Sequence, residues 1–241
     1  MQRTRFRGYW LHYENGEAAA SMIRQAEEFP SFFTPQGERP RIIDGGSNIG
    51  VSMLEWKSRW PGARVECFEP DPAAFAVLQK NITANDIPGV TCQHAALWPE
   101  PGSAPLYGDL GRGGDARGNS LVAAWGNRAA SSQTEVPCQP LSTLLDRGPV
   151  DFLKLDIEGA EQRVLAEAGE RLREVAALYV EVHETDADRD HNSADAILGL
   201  LDSVGFATEL ESRYDPHALP PALRSWQQAV GASQSQILAW R

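Results

Sequence analysis

Cysteine is scarce and unpaired in this chain. Cys67, Cys92 and Cys138 are odd in number, far apart, and form no C-x-x-C pair. That excludes a disulfide framework and gives no zinc site, so buried reduced thiols in a cytoplasmic protein are expected. Positive charge is also in short supply: 22 Lys and Arg stand against 33 Asp and Glu, a net charge of −11. Phosphate backbones and anionic headgroups are bound through Lys and Arg, so this balance opposes general binding to nucleic acid or a membrane surface. No apolar run approaches the ~20 residues of a membrane span. The basic start, Met1 to Gly8, runs into Tyr9-Trp10-Leu11-His12 and lacks the apolar core of a secretory signal. There is no internal repeat. What remains is an ordinary globular composition, 42% hydrophobic and 23% charged over 241 residues, long enough for one large α/β domain with a substantial core.

The chemistry is concentrated in two stretches. The first is Arg41-Ile42-Ile43-Asp44-Gly45-Gly46-Ser47-Asn48-Ile49-Gly50. Apolar positions run into an acid, two glycines and a polar pair, and an amphipathic segment starts at Val51, which predicts strand, tight loop and helix. Glycines let backbone approach a ligand in conformations that a Cβ forbids, and the helix start offers unpaired N–H groups. The dinucleotide fingerprint G-x-G-x-x-G is not met, because position 47 is Ser. Asp44 at the mouth of the loop suits a cationic ligand and repels a diphosphate. The second stretch, Val150 to Glu161, is a buried strand that emerges in Asp156, Glu158 and Glu161. Acids at that edge lie in the crevice where open α/β sheets hold ligands.

Asp44, Gly46, Asn48 and Gly50 fill D-x-G-x-N-x-G. This resembles motif I of the Rossmann-like S-adenosylmethionine methyltransferases, in the form typical of the FkbM methyltransferase family. The run K-L-D-I-E-G-A-E at 154–161 is close to that family's signature. Two motifs in this order, about 110 residues apart, suit the two halves of a doubly wound sheet. The resemblance covers about residues 41–240. It implies a mostly parallel seven-stranded sheet with helices on both faces and a C-terminal antiparallel hairpin. It also implies S-adenosylmethionine as cofactor, with the glycine loop wrapping its methionine part.

Along the chain, residues 1–40 are expected to form a helical prefix or lid, with a helix over Gly16 to Phe29 stopped by Pro30 and a loop to Pro40. Residues 41–241 form the methyltransferase domain. Helix Val51 to Trp60 leads to strand Arg64 to Glu69, and Glu69 falls about twenty residues beyond Gly50, where α/β folds place a carboxylate on ribose hydroxyls. Helix Pro72 to Ala84 and strand Val90 to Leu97 follow, and adenine is expected near Pro70, His94 and Ala95. Residues 99–140 lose the helical pattern and form an insertion, read as an acceptor-site flap, that ends in strand-like Thr134 to Cys138. By resemblance, Asn119-Ser120-Leu121 in it lies near the cofactor. Arg112, Arg117 and Arg128 read as solvated loop arginines that could otherwise recognise an anionic acceptor. After strand 150–155 come helix Ala160 to Leu172, strand Ala177 to Glu184, helix Asn192 to Val204 capped by Asn192, and final strands at 205–211 and 235–240. The segment Ser212 to Ala232, with Tyr214, His217 and Trp226, is read as flanking the acceptor or as an oligomer contact.

The expected activity is S-adenosylmethionine-dependent methylation, with the family implying a sugar or natural-product hydroxyl most often. Asp44, Gly46, Ser47, Asn48, Gly50, Glu69, Pro70, His94, Ala95 and Asp156 are assigned to the cofactor. Asp156, Glu158, Glu181 and His183 are assigned to the acceptor and its proton. Strand alternation points Glu181 and His183 to one side, and a His near its ordinary pKa can remove a hydroxyl proton. Glu161 is assigned to the start of a helix, where an acid suits the dipole. The same acids and His183 are hard ligands that could hold magnesium or manganese, but no dedicated metal spacing is present, so no metal ligand is assigned. The partner is a small-molecule acceptor, with a homodimer left open. Two alternatives stand: an NAD(P)-dependent oxidoreductase, against which count Ser47 and the lack of a Tyr-x-x-x-Lys pair, and a non-catalytic cofactor-binding module.

Overall fold

The apolar stretches at 42–43, 152–153 and 177–180 do not alternate because both faces of the strands they form are covered, as parallel pairing requires. The computed structural model describes residues 1–108, 118–211, 225 and 228–241. In chain order its elements are β1 (Gln2–Phe6), β2 (Tyr9–Tyr13), α1 (Gly16–Glu27), β3 (Arg41–Gly45), α2 (Val51–Arg59), β4 (Arg64–Phe68), α3 (Pro72–Ala84), β5 (Val90–Gln93), β6 (Ala96–Leu97) and β7 (Gly102–Tyr107). They continue with β8 (Gln133–Gln139), α4 (Leu141–Leu145), β9 (Val150–Leu155), α5 (Glu161–Ala168), β10 (Val175–Glu184), α6 (Ala194–Ser203), β11 (Ala207–Glu211) and β12 (Ser233–Trp240).

The main sheet has seven strands in the order β11-β12-β10-β9-β3-β4-β5. Only β12 runs against its neighbours, making the C-terminal hairpin with β11. The order reverses beside β3, so the ends of β3 and β9 open a crevice at a topological switch point, where such sheets bind ligands. On one face α1, α2 and α3 pack through Met22, Leu54, Trp56 and Leu78 onto Ile42, Val65 and Phe152. On the other α4, α5 and α6 pack through Leu144, Val164 and Ile197 onto Ile43, Leu153 and Val180. Each of these side chains except the partly buried Met22 is fully buried and contributes about 1.5–3 kcal/mol. Caps agree with the local sequence: Asp71 accepts from Ala73 N and Ala74 N ahead of α3, with Pro72 in its first turn.

The prefix is not purely helical. Residues 2–13 form a hairpin turned at Arg7 and Gly8, both at positive φ (48° and 87°). Its outer strand is sealed by α3: Asn81 pairs with both backbone groups of His12, and Asn85 with both of Trp10. Nor does the rest of the prefix hang free. Phe29 stands 4.6 Å from Trp56 and from Tyr179, and Phe33 stacks on Phe152 at 6.1 Å.

The expected strand 90–97 divides: β5 ends at Gln93, and Ala96–Leu97 joins a second, three-stranded sheet in the order β6-β8-β7. The 99–140 segment therefore contributes β7 and β8 to a small sheet with its own core of Leu106, Val136 and Cys138. Arg128 is buried, donates to Gly108 O at 3.0 Å and lies 4.5 Å over the Trp125 ring, so it braces this segment and is not a solvated loop arginine. Arg112, Arg117, and the residues singled out between Ser212 and Trp226 lie outside the described residues. Ser193, not Asn192, caps α6.

Candidate active site

The glycine loop is held by its neighbours before any ligand is considered. Gly46 N and Ser47 N both donate to Phe68 O at 3.0 Å. Ser47 Oγ donates to Asp44 O at 2.8 Å, so the Ser47 hydroxyl is spent on shaping the turn. Gly46 sits at φ +76°, and a Cβ there would lie 1.8 Å from Asp156 O. Gly50, at φ +91°, backs onto Leu78 and Met53, so packing as well as conformation forbids a side chain. Asn48 adopts φ +46°, with its amide oxygen accepting from Ile49 N at 2.8 Å.

Glu69 follows the end of β4 and is almost fully buried. Its two oxygens accept from Asn48 N at 2.7 Å and Asp71 N at 2.8 Å. Burial nonetheless pushes its pKa up to about 7, against the opposing pull of those two N–H groups. Beside it His94 Nε2 meets Pro70 O at 2.9 Å and its ring stacks on Phe75 at 5.0 Å, while Ala95 is buried in the core of the other face.

Lys154 is the hinge between the two motifs. Its register partner across the parallel pair is Asp44. The ammonium lies 3.5 Å from Asp44 Oδ1 and 3.3 Å from Asp156 Oδ2, and donates to Gly46 O at 3.0 Å. Burial alone would lower its pKa, but the carboxylates of Asp156, Asp44 and Glu181 hold it above the ordinary value. Asp44 Oδ2 accepts from Ser52 Oγ at 2.6 Å, whereas the buried Oδ1 has only the Lys154 ion pair. Gly46, Asn48, Lys154, Asp156 and Glu181 line a cavity of about 80 Å³ closed by Ala26, Phe29 and Trp56. Glu181 faces it, accepting from Tyr179 Oη at 3.2 Å, and burial raises its pKa.

Glu158 and His183 gather farther along the crevice, next to Asp156. Glu158 Oε2 stands 3.8 Å from His183 Nε2. Burial raises the pKa of Glu158; for His183 burial would lower it, but Glu158 and Glu161 outweigh that and raise it. Glu161 does begin α5, and it does more. Fully buried, it accepts from Ile157 N, Gly159 N, Asn192 Nδ2 (2.7 Å) and His183 Nδ1 (3.2 Å). It thereby sets the imidazole's orientation, a role the helix-start reading missed. Asn192 adds a bond to His183 O at 2.8 Å, and the Trp125 ring meets the imidazole edge-on at 5.9 Å. Asn119 Nδ2 donates to Asp71 Oδ2 at 2.8 Å and Ser120 Oγ to Glu158 O at 2.6 Å, so these two residues tie the Glu69 end to the Glu158 end.

Comparison with known proteins agrees with this layout. The Methyltransferase FkbM domain matches residues 44–208. Methyltransferase sdnD of Sordaria araneosa is 31% identical over 195 residues, 69% of this chain and 73% of that protein. Methyltransferase 1 of Beauveria bassiana is 28% identical over 207 residues, 77% and 78% of the two chains. The 31-O-demethyl-FK506 methyltransferase FkbM of Streptomyces tacrolimicus is 28% identical over 200 residues, covering 70% and 74%. The crystal structure of methyltransferase FkbM from Methylobacillus flagellatus shares the fold, with a TM-score of 0.54 and 15% identity over 94% of this chain, which spans 56% of that longer one. On the family match and these relatives, the chain belongs to the FkbM family of S-adenosylmethionine-dependent methyltransferases.

Proposed function

We propose that the enzyme transfers a methyl group from S-adenosylmethionine to a hydroxyl oxygen of a small molecule. The observation that carries this reading is the division of one crevice into a pre-bonded end at Glu69 and an acid-and-imidazole end at Glu158 and His183, with Asp156 between them. The cofactor suits the first end. Glu69, held by two backbone N–H groups, still has lone pairs for two ribose hydroxyls. The cavity under α1 offers both signs of charge to a methionine tail, Lys154 for a carboxylate and Asp156 and Glu181 for an ammonium. Pro70 and His94 border the Glu69 end, where adenine would lie. Bound there, S-adenosylmethionine supplies a methyl group activated by sulfonium.

The remaining work is alignment and proton management. Holding donor and acceptor in line can contribute about 7–11 kcal/mol. Asp156, Glu158 and His183 are the groups available to orient a hydroxyl and polarise its proton. The oxygen acceptor is supported by the relatives, which include the 31-O-demethyl-FK506 enzyme and a 2-O-methyltransferase NoeI of Sinorhizobium fredii. The test is calorimetric titration with S-adenosylhomocysteine and, separately, NADH on wild type and Glu69→Ala. Tight binding of S-adenosylhomocysteine that Glu69→Ala weakens is the expected result. Binding of NADH, or of neither, would move an oxidoreductase or a non-catalytic module ahead.

A further inference from the structure

Two largely buried polar groups at the mouth of β9 and β10 pair across a gap too long for a hydrogen bond: Nε2 of His183 and the carboxylate of Glu158. They face one another at 3.8 Å, with side-chain exposures of 11% and 18%. A third group closes the set. One ligand atom from each of Asp156, Glu158 and His183 can be chosen so that all lie within 4.8 Å of one another. Ligands on a magnesium or manganese ion stand about 3–4 Å apart, as bond lengths of 2.0–2.1 Å require, so modest side-chain rotation brings the three into range.

The surroundings are those of a cation site. Glu161 accepts from His183 Nδ1 at 3.2 Å, so once the imidazole is neutral its lone pair lies on Nε2, the nitrogen that faces Glu158. Glu161 is itself gripped by Asn192 Nδ2 and Gly159 N, the buried second tier that orients a ligating imidazole. Lys154 approaches Asp156 at Oδ2, so the other carboxylate oxygen stays available. Two carboxylates and one imidazole are a hard set suited to magnesium or manganese, and three protein ligands leave coordination positions open.

We infer that Asp156, Glu158 and His183 form a divalent-cation site, filled by magnesium or manganese, whose open positions receive two neighbouring oxygens of the acceptor. The acceptor class that follows is a hydroxyl beside a second oxygen, as in a vicinal diol or a hydroxy-carbonyl compound. That part rests on the methyltransferase reading of the crevice; cation binding does not. With Nε2 ligated, His183 is a ligand and not the base: the cation would lower the hydroxyl's pKa so that its proton leaves to water, while the oxygen forms the C–O bond and the sulfonium C–S bond breaks.

The test is titration of chelator-stripped protein with Mn²⁺, following the electron paramagnetic resonance signal of the free ion, with and without S-adenosylhomocysteine. One bound ion per chain is expected. Glu158→Gln and His183→Gln should each weaken binding by more than about tenfold, and Glu161→Gln, acting through His183, by about 10–100-fold. Glu158 is partly exposed and its isosteric change leaves the packing intact, so Glu158→Gln keeps the test decisive if a His183 variant fails to fold; circular dichroism monitors this. No Mn²⁺ bound by the wild type, or binding unchanged in Glu158→Gln, overturns the inference and returns His183 to the role of base. Mn²⁺ binding by a protein that fails to bind S-adenosylhomocysteine upholds the ion site while removing the methyltransferase reading.

Discussion

Glu69 and Glu158 are both largely buried acids at strand ends of one crevice, yet their surroundings are opposite. Glu69 accepts from Asn48 N and Asp71 N, donors fixed by the glycine loop and by the turn into α3. Among the described residues Glu158 meets no backbone donor but an imidazole nitrogen 3.8 Å away, and it sits on strained backbone, φ +54°. The first carboxylate is organised by the fold; the second is left for something that arrives. The difference locates each kind of recognition. A ligand common to the whole family can be met by backbone geometry, because backbone donors come with the strand–loop–helix unit itself. On the proposed function, an acceptor particular to one enzyme is met instead by side chains, at the Glu158 end.

The comparison breaks most severely if the loop is filled. Gly46→Ala places a Cβ against Asp156 O at a positive φ, so loop and β9 must separate. A stability loss of more than about 4 kcal/mol is expected, with no S-adenosylhomocysteine binding. A folded, binding Gly46→Ala protein would show that the loop does not set the cofactor end. Next comes Lys154→Met, which keeps the apolar stem but leaves Asp44 and Asp156 facing each other without their cation. Removing one partner of a buried ion pair costs about 3–5 kcal/mol, measurable by urea unfolding. Since Lys154 touches both motifs, S-adenosylhomocysteine affinity should fall with it; unchanged affinity would separate the loop from Asp156. At the other end, Asn192→Ala removes the donor to Glu161 and to His183 O, as well as the acceptor of Gln162 N at 2.8 Å. A loss of about 1–3 kcal/mol is expected. Cofactor affinity should stay unchanged, because Asn192 touches only the imidazole end. A parallel fall in S-adenosylhomocysteine binding would mean that the two ends are one unit.

How much of this was legible in sequence follows the same division. The cofactor end is local: Asp44 to Gly50 is one continuous loop, and Glu69 terminates the next strand, so spacing along the chain reports spacing in space. The mostly parallel seven-stranded sheet and its C-terminal hairpin were likewise implied by the family resemblance that the two motifs carry. The imidazole end joins β10, the start of α5 and the loop before α6, and no spacing rule links Glu161, His183 and Asn192. Glu161 looked like a helix-start acid because it is one; that its carboxylate turns back on His183 depends on tertiary packing. Asn192 looked like a cap, but the adjacent Ser193 supplies the oxygen to Ala196 N. The N-terminal hairpin escaped notice because its strand Gln2-Arg3-Thr4-Arg5-Phe6 is polar and its turn uses Arg7 where Asn or Asp is usual. The backbone of β2 is satisfied by Asn81 on α3 and Asn85 at its C-terminal end, far away in sequence.

The smallest effect expected is also the one that reads Glu69 directly. Its carboxyl titrates near 7 in the folded chain, raised from 4.5 by burial. Between those values the folded protein keeps a proton that the unfolded chain has lost, so this group's contribution to stability falls as pH rises from 4.5 and levels off above 7. Ligand binding runs the other way. Two ribose hydroxyls donate to an ionised carboxylate, and below pH 7 that form must be regenerated by releasing a proton. S-adenosylhomocysteine affinity should therefore weaken roughly tenfold between pH 8 and pH 6. In Glu69→Gln the affinity should be lower throughout and that part of the pH slope should vanish, since an amide does not titrate. Other groups in the crevice titrate in the same range, so the difference between the two proteins, and not the wild-type curve alone, is the quantity that decides. An identical slope in both would place the titrating group elsewhere and leave the Glu69 carboxylate with a structural role only, tying Asn48 to Asp71.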